Sequence, residues 1–465
     1  MEFSSLIFIW AFLPAVLLLH YAVKLVPVKN EKARMIVRNA VLLVFSVVFY
    51  LWSGYGGLVF LASSILGNFA FGLLLERFPR ETALSKRRAV LFTAVSLNAL
   101  ALVFFKYFGL TAMPLAASFI VFQCISYLAD VHEEKVRAER NLLNFSLYVA
   151  LFVQLSQGPI MRYGVLGASI RSRSLSVQRF ATGIRRFLAG FIKKVLFANT
   201  FAPIVAEIFG KNPDTLGSGE AWLGLILFTL QIYYDFSGYS DMAVGLGHMF
   251  GFDVSENFEY PYTSLSIQEF WRRWHISLST WFRDYIYIPL GGSRKGLGRT
   301  LLNLTAVFLV TGLWHGNTWN FVIWGLFFTV FSVLERLFLG KLLKKNPVKP
   351  LNWLYTILVV MMGWVFFRAA DLPSALSYFG ALFGTNGIPF GHDVVTYFSA
   401  NLILTIGGAV LFTGVLQRPL RKLMLKLKDS KAAVILGFMI LFGLFAWSIA
   451  LLIEGSYSPS IYGAF

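Results

Sequence analysis

The chain has 465 residues, 57% of them hydrophobic and only 14% charged, with a formal net charge of +18. Soluble domains sit nearer 45–50% apolar and about 25% charged, so this composition excludes a soluble globular protein and points to a polytopic membrane protein. A single cysteine, Cys124, excludes an internal disulfide framework and a cysteine-rich metal site. The basic residues fall in short gaps between apolar runs, as the positive-inside rule requires, and not in a nucleic-acid-binding patch.

Stretches long enough to cross a ~30 Å hydrocarbon core begin with residues 5–25. This first stretch is too long for a signal-peptide core, has Glu2 where a basic region belongs, and lacks a small-residue cleavage site after it. It reads as a retained anchor. Lys24, Lys29, Lys32 and Arg34 follow it, which directs the N-terminus outward. Further spans are expected near 36–54, 57–75, 89–108, 112–129, 187–207, 220–236, 302–318, 321–339, 351–368, 397–416 and 432–453. Residues 143–161, 239–252 and 373–390 are shorter or broken, and read as re-entrant or interfacial.

The loops alternate in charge. Six are basic: ERFPRETALSKRR, EEKVRAER, the arginine-rich 162–194, GGSRKGLGR, GKLLKKNPVK and QRPLRKLMLKLKDSK. The intervening SGYGG, NPDTLGSGE, GTNGIPFGHD and EGSYSPS hold no Lys or Arg. Parity and charge agree on cytoplasmic basic loops with both termini outside. No fixed-period repeat is present, although an inverted-repeat transporter stays open because its internal symmetry is often faint. The expectation is an all-α polytopic protein, read as one integral-membrane domain over 1–465.

Three stretches carry chemistry. In QIYYDFSGYSDMAVGLGHMFGF, Asp235 and Asp241 interrupt an apolar run and Gly238 loosens it. Ionisable groups at membrane depth usually mark function, against which stands an Asp235 that merely pairs with an arginine to anchor a helix end. In SLSIQEFWRRWHISLSTWFRDYIYIPLGGSRKG, Ser266 and Glu269 have capping-box spacing, so a helix starts there. Trp271, His275, Leu278 and Phe282 then share one face, with Arg272, Ser279 and Arg283 on the next, until Pro289 and Gly291-Gly292 turn the chain. This amphipathic or re-entrant helix is either an interfacial anchor or a place where cations receive the phosphates of a cytoplasmic donor. In TGLWHGNTWN, His315 lies roughly 20 Å along a span that begins after Arg299, in the outer half of the bilayer. Gly312 and Gly316 flank it and leave room for a substrate to approach. Trp314, Asn317 and Asn320 beside it suggest a polar cavity, and a neutral imidazole suits a general base. No hydrolase elbow, metal-ligand cluster, P-loop or dinucleotide fingerprint accompanies it. The residues alone describe a polar intramembrane site without a substrate, and a proton or substrate relay in a transporter or flippase fits them too.

These motifs, in this order and together with ENFEYPYTS, SFIVFQCISYLADV and LSQGPIMRY, resemble the membrane-bound O-acyltransferase (MBOAT) family, above all its alginate O-acetylation branch. The likeness runs from about residue 100 to 340, with one departure at Ala116-Ala117, where a glycine is expected. The resemblance implies a ring of roughly 11–13 spans with re-entrant segments around a central tunnel. His315 matches the family's essential histidine and His275 its second polar position, so these two stand as catalytic candidates. Asp235, Tyr239 and Asp241 match a structural or tunnel-lining motif, and Trp271, Arg272, Arg273 and Arg283 fall in the re-entrant motif. The resemblance further implies acetyl-CoA as a cytoplasmic donor substrate, with no resident cofactor or metal. It implies an extracytoplasmic SGNH-hydrolase-type acetyltransferase as partner, a polysaccharide acceptor, and a bacterial-type plasma or inner membrane. A D-alanyl transferase of the teichoic-acid type, fed by a carrier protein, is the alternative within the family.

Overall fold

The computed structural model describes residues 1–27, 30–108, 113–155, 157–390, 394–414, 430–455 and 461. Most of the basic loop QRPLRKLMLKLKDSK lies outside the described residues, as do the ends of GTNGIPFGHD and EGSYSPS. Among the described residues the secondary structure is entirely helical.

In chain order the helices are α1 (Leu13–Ala22), α2 (Glu31–Leu51), α3 (Leu58–Arg77), α4 (Leu84–Tyr107), α5 (Ala117–His132), α6 (Leu142–Ala150) and α7 (Tyr163–Arg171). There follow α8 (Val177–Ile192), α9 (Asn199–Gly210), α10 (Ser218–Phe250), α11 (Ile267–Arg273), α12 (Ile276–Phe282), α13 (Gly296–His315) and α14 (Trp319–Leu334). The last are α15 (Gly340–Lys345), α16 (Lys349–Arg368), α17 (Leu372–Leu382), α18 (Ala400–Phe412) and α19 (Lys431–Ile453).

Among the described residues nine helical segments are long and apolar enough to cross a membrane. They account for nine of the expected spans. The expected spans at 112–129 and 397–416 appear as the shorter apolar helices Ala117–His132 and Leu402–Phe412, and 220–236 is the first half of the long, buried α10. In Leu84–Tyr107 and Ile435–Ile453 only 11% of the apolar window is buried. Side chains such as Phe92, Leu100, Met439 and Phe442 point outward. Apolar faces of that extent are stable only against hydrocarbon, so the protein is a multi-pass membrane protein.

The chain folds into two compact units. The first comprises residues 1–187 and 239–256. Its α3 and α4 are joined inside the apolar bundle by Asn68 and Asn98, whose amides exchange bonds of 2.8 and 3.3 Å. Buried Arg87 donates to the carbonyls of Leu75, Phe78, Val131 and His132. One guanidinium thus satisfies the C-terminal carbonyls of both α3 and α5. Ala116, at the position where a glycine was expected, has φ 57, the left-handed conformation that glycine adopts without strain.

The second unit comprises residues 188–238 and 257–464. It contains the hairpin of α13 and α14, which cross with backbones nearly touching. A Cβ on Gly325 would lie 2.5 Å from the Phe308 carbonyl oxygen, and one on Gly312 would strike that of Phe321. Small residues permit such approach between membrane helices. Gly238 has the same use. It does not loosen α10, which runs unbroken, but brings the helix within 2.7 Å, Cβ to oxygen, of Gly190 O. At the end of α14 the buried Glu335 carboxylate accepts the backbone N–H groups of Ile267 (2.6 Å) and Gln268 (2.9 Å), fixing the start of α11 against α14.

Candidate active site

The segment 264–296 is built as its local chemistry dictates. The Ser266 hydroxyl accepts from Glu269 N at 3.1 Å, and the Glu269 carboxylate reaches back to Leu265 N at 2.8 Å. Where a single helix was expected, the chain breaks after about two turns into α11 and α12. His275 stands at the break with φ 45 and ψ 56. A non-glycine residue there is strained by about 1 kcal/mol or more, and Asn257 compensates. Its carbonyl accepts Ile276 N at 2.9 Å. Its Oδ1 accepts Ser277 N at 3.1 Å and the Ser277 hydroxyl at 2.9 Å, and lies 3.1 Å from His275 Nδ1. With Oδ1 committed as an acceptor, the imidazole donates through Nδ1–H and carries its lone pair on Nε2. Nε2 is buried and makes no hydrogen bond among the described residues. Burial pushes the imidazole down to about 3, so it is neutral at physiological pH.

His275 opens on a cavity of about 400 Å³, within the range of small-molecule sites. At one end stand the exposed guanidinium groups of Arg272, Arg283 and Arg336, with Gln268 and Tyr287. At the other stand His275, His315 and Trp324. The wall between them is one stripe of α13, in which Thr300, Leu304, Phe308, Thr311 and His315 recur at helical spacing. The glycine turn Gly291–Gly292, with φ 109 and 56, carries Arg294 and Lys295 beside the arginine end. The cavity is therefore cationic where it opens and aromatic where the histidines lie.

His315 is the last residue of α13 and is buried at 5% exposure. Its ring meets Trp324 at 5.1 Å and Phe367 at 5.0 Å, both edge to face. The glycines flanking it do not leave room for a substrate, as their spacing had suggested. Gly312 receives the α14 backbone and Gly316 the Phe321 ring, so they seat α14. Trp271 and Trp324 line the cavity, and their indole N–H groups are buried and make no hydrogen bond among the described residues.

Of the other sequence candidates, Trp271, Arg272 and Arg283 line the cavity. Arg273 instead pairs with Glu269 at 2.6 Å, one turn back on its own helix. Trp314 is buried with its ring 4.6 Å from His315 and 6.5 Å from His275, but does not line the cavity. Asn317 is exposed in the α13–α14 turn. Asn320 tethers α14 to α16 by donating to Phe366 O (3.1 Å) and Ala369 O (2.8 Å). Asp235, Tyr239 and Asp241 do not line it either. Asp235 is ion-paired with buried Lys194 at 2.5 Å, the helix-anchoring alternative with a lysine in place of an arginine. Tyr239 donates to Leu155 O at 3.2 Å, and Asp241 pairs with Arg186 at 2.7 Å. These three hold helices together. Among the described residues no three His, Cys, Asp or Glu side chains converge in a metal-ligand group.

The arrangement couples a neutral, buried base with N–H donors and a cationic entrance, the parts an acyl transfer needs. The family model described as MBOAT, membrane-bound O-acyltransferase family, matches residues 90–378. The chain is 41% identical to the probable alginate O-acetylase AlgI of Pseudomonas putida over 407 residues, 82% of this chain and 80% of the relative. It is 33% identical over 436 residues to the peptidoglycan O-acetyltransferase of Helicobacter pylori, covering 84% and 81%. With the teichoic acid D-alanyltransferase of Bacillus subtilis it shares 26% over 266 residues, 54% of this chain and 66% of that one. The protein belongs to the membrane-bound O-acyltransferase family and is an acyltransferase.

Proposed function

We propose that this acyltransferase takes an acetyl group from acetyl-CoA at the arginine end of the cavity and passes it to a hydroxyl arriving from the opposite side of the membrane, for O-acetylation of a polysaccharide. The observation that carries the reading is the continuous α13 stripe, with cations at one end and His275 and His315 at the other. Phosphates of the donor pair with Arg272, Arg283 and Arg336, for which guanidinium forks are well shaped. The acyl arm then lies along Leu304 and Phe308 toward the histidines. His315 removes the proton of the acceptor hydroxyl, whose oxygen forms the new bond to the thioester carbonyl. The C–S bond breaks, and the proton passes to the departing thiolate. In this reading the Trp271 and Trp324 N–H groups stabilise negative charge on the carbonyl oxygen, and His275 offers Nε2 as a second acceptor.

In this reading the whole chain acts as one acyltransferase domain in a bacterial-type plasma or inner membrane, with basic loops cytoplasmic and termini outside. An extracytoplasmic enzyme of the SGNH-hydrolase type carries the acetyl group onward. Acetyl is favoured over D-alanyl because the two O-acetylating relatives match over 82% and 84% of this chain and the D-alanylating one over 54%. The test is transfer from labelled acetyl-CoA by purified wild type and His315→Ala at matched folding. A general base contributes about 10²–10⁴-fold, and a loss of that size is expected. Equal turnover in both proteins removes His315 from catalysis. Turnover from a D-alanyl carrier protein but not from acetyl-CoA replaces the donor.

A further inference from the structure

A second cavity, of about 690 Å³, lies in the first unit, far along the chain from the histidines and unused by the reaction. It is lined by Lys24 at the end of the first span, Arg38 in α2, Arg173 in the loop after α7, and the first residues of α8. Arg38 is only 8% exposed. It makes no hydrogen bond or ion pair among the described residues, and its Nε is buried without a partner. Arg173 is bound by neutral groups alone, donating to Asn39 Oδ1 at 2.7 Å and Phe250 O at 3.0 Å, and its Nη2 is buried without a partner. Burial, and then the Arg38 guanidinium, push Arg173 down to about 9. The carboxylate in the lining, Glu31, is exposed and paired with Arg34 on its own helix. Two guanidinium groups are thus held close together with no anion between them. A buried charge without compensation costs several kcal/mol, and a site that keeps two of them is built for an anion.

The geometry specifies the anion further. Val177–Ile192 begins at the cavity; Arg179 N is capped by the Ser176 hydroxyl at 3.2 Å, and the other first-turn N–H groups and the positive dipole end are directed at whatever lies there. Guanidinium forks, an ammonium and backbone N–H groups converging from different directions suit a tetrahedral group with several oxygens. The cavity sits where the segments Phe8–Leu25 and Glu31–Leu51 end and begin, the level of lipid headgroups. Leu25 and Val177 beside it are 85% and 86% exposed, which places apolar contacts next to the charge. We infer that Arg38, Arg173, Lys24 and the N-terminus of α8 form a phosphate-binding site, filled by the headgroup of an anionic phospholipid or by free phosphate.

The test uses full-length protein stripped of lipid in detergent. Its thermal unfolding is followed while dioleoylphosphatidylglycerol, dioleoylphosphatidylcholine or inorganic phosphate is added at constant ionic strength. The variants are Arg38→Met and Lys24→Gln. Because Arg38 makes no hydrogen bond or ion pair among the described residues, Arg38→Met is expected to unfold at the same temperature as wild type or above it when no ligand is present. Its apparent affinity for phosphatidylglycerol is expected to fall about tenfold or more, the loss of one charge-assisted contact. Lys24→Gln falls less. A shift with phosphatidylglycerol alone, lost in Arg38→Met, assigns a lipid headgroup. The same loss seen with inorganic phosphate as well assigns the phosphate group itself. An equal shift in wild type and Arg38→Met, or no shift in wild type, overturns the site.

Discussion

Gly325→Ala tests whether the α13–α14 crossing sets the reaction geometry. The new methyl carbon would stand 2.5 Å from Phe308 O, whereas ordinary contact begins at 3.4 Å. The helices must therefore part by about 1 Å, and both sides of that gap belong to the cavity. Phe308 lines it, and Trp324, next to Gly325, packs on His315. A displacement of about 1 Å in a catalytic constellation costs on the order of 10²-fold in rate. Overpacking costs about 1–3 kcal/mol of stability, partly offset by the better helix propensity of alanine. The assay is labelled acetyl transfer beside thermal unfolding, with Gly298→Ala as control. Gly298 lies on the same α13 with nothing within 4 Å of its Cβ position, so that variant is expected to keep full activity. Wild-type turnover by Gly325→Ala, with unchanged stability, would show that the crossing is slack and that the site does not depend on it.

Lys194→Ala leaves the Asp235 carboxylate, 1% exposed, without its cation, and is expected to lower stability by about 3–5 kcal/mol. The double variant Lys194→Met/Asp235→Leu should recover most of that loss in the same unfolding measurement. Arg272→Ala and Arg336→Ala are each expected to raise KM for acetyl-CoA roughly tenfold with little change in kcat, an effect that weakens in high salt. A fall in kcat alone contradicts a donor-binding role. His275 has its pKa pushed down to about 3 by burial, below the ordinary value near 6.5. The unfolded chain therefore takes up the proton first. The stability contributed by neutral His275 is complete above pH about 6.5 and is lost as pH falls from there toward 3. His275→Gln should flatten that part of the stability curve, and an unchanged curve would contradict the buried, neutral imidazole.

What was legible in the sequence was local or periodic. The Ser266–Glu269 cap is made within four residues, and nine spans follow from runs of apolar side chains that need no partner to be recognised. His315 was visible because a polar group inside an apolar run is conspicuous. The break at His275 was not, because it depends on Asn257, 18 residues away. Helical spacing alone continues the helix through it. Arg336 and Glu335 went unnoticed, although two charges within the run 321–339 were a signal of the same kind as His315. The Lys194 partner of Asp235 was not legible because 193–194 looked like the basic end of a loop, and only the fold buries Lys194. Asn317 and Asn320 looked like pocket polarity, but one faces outward and the other bonds backbone carbonyls. The departure at Ala116 did have meaning, since its φ of 57 is the geometry a glycine would supply.

The stripe from Thr300 to His315 spans about 22 Å of helix, with guanidinium groups at one end and His315 at the other. In the proposed function a site drawn out in this way works as a ruler. It admits an acyl group only when that group hangs from an arm long enough to leave its phosphates at the arginines while its carbonyl reaches the imidazole. Short activated esters carry the same chemistry but cannot hold both ends at once. Selection of the donor by reach, with pocket shape playing little part, would let one scaffold keep its reaction centre while its relatives exchange one small acyl group for another.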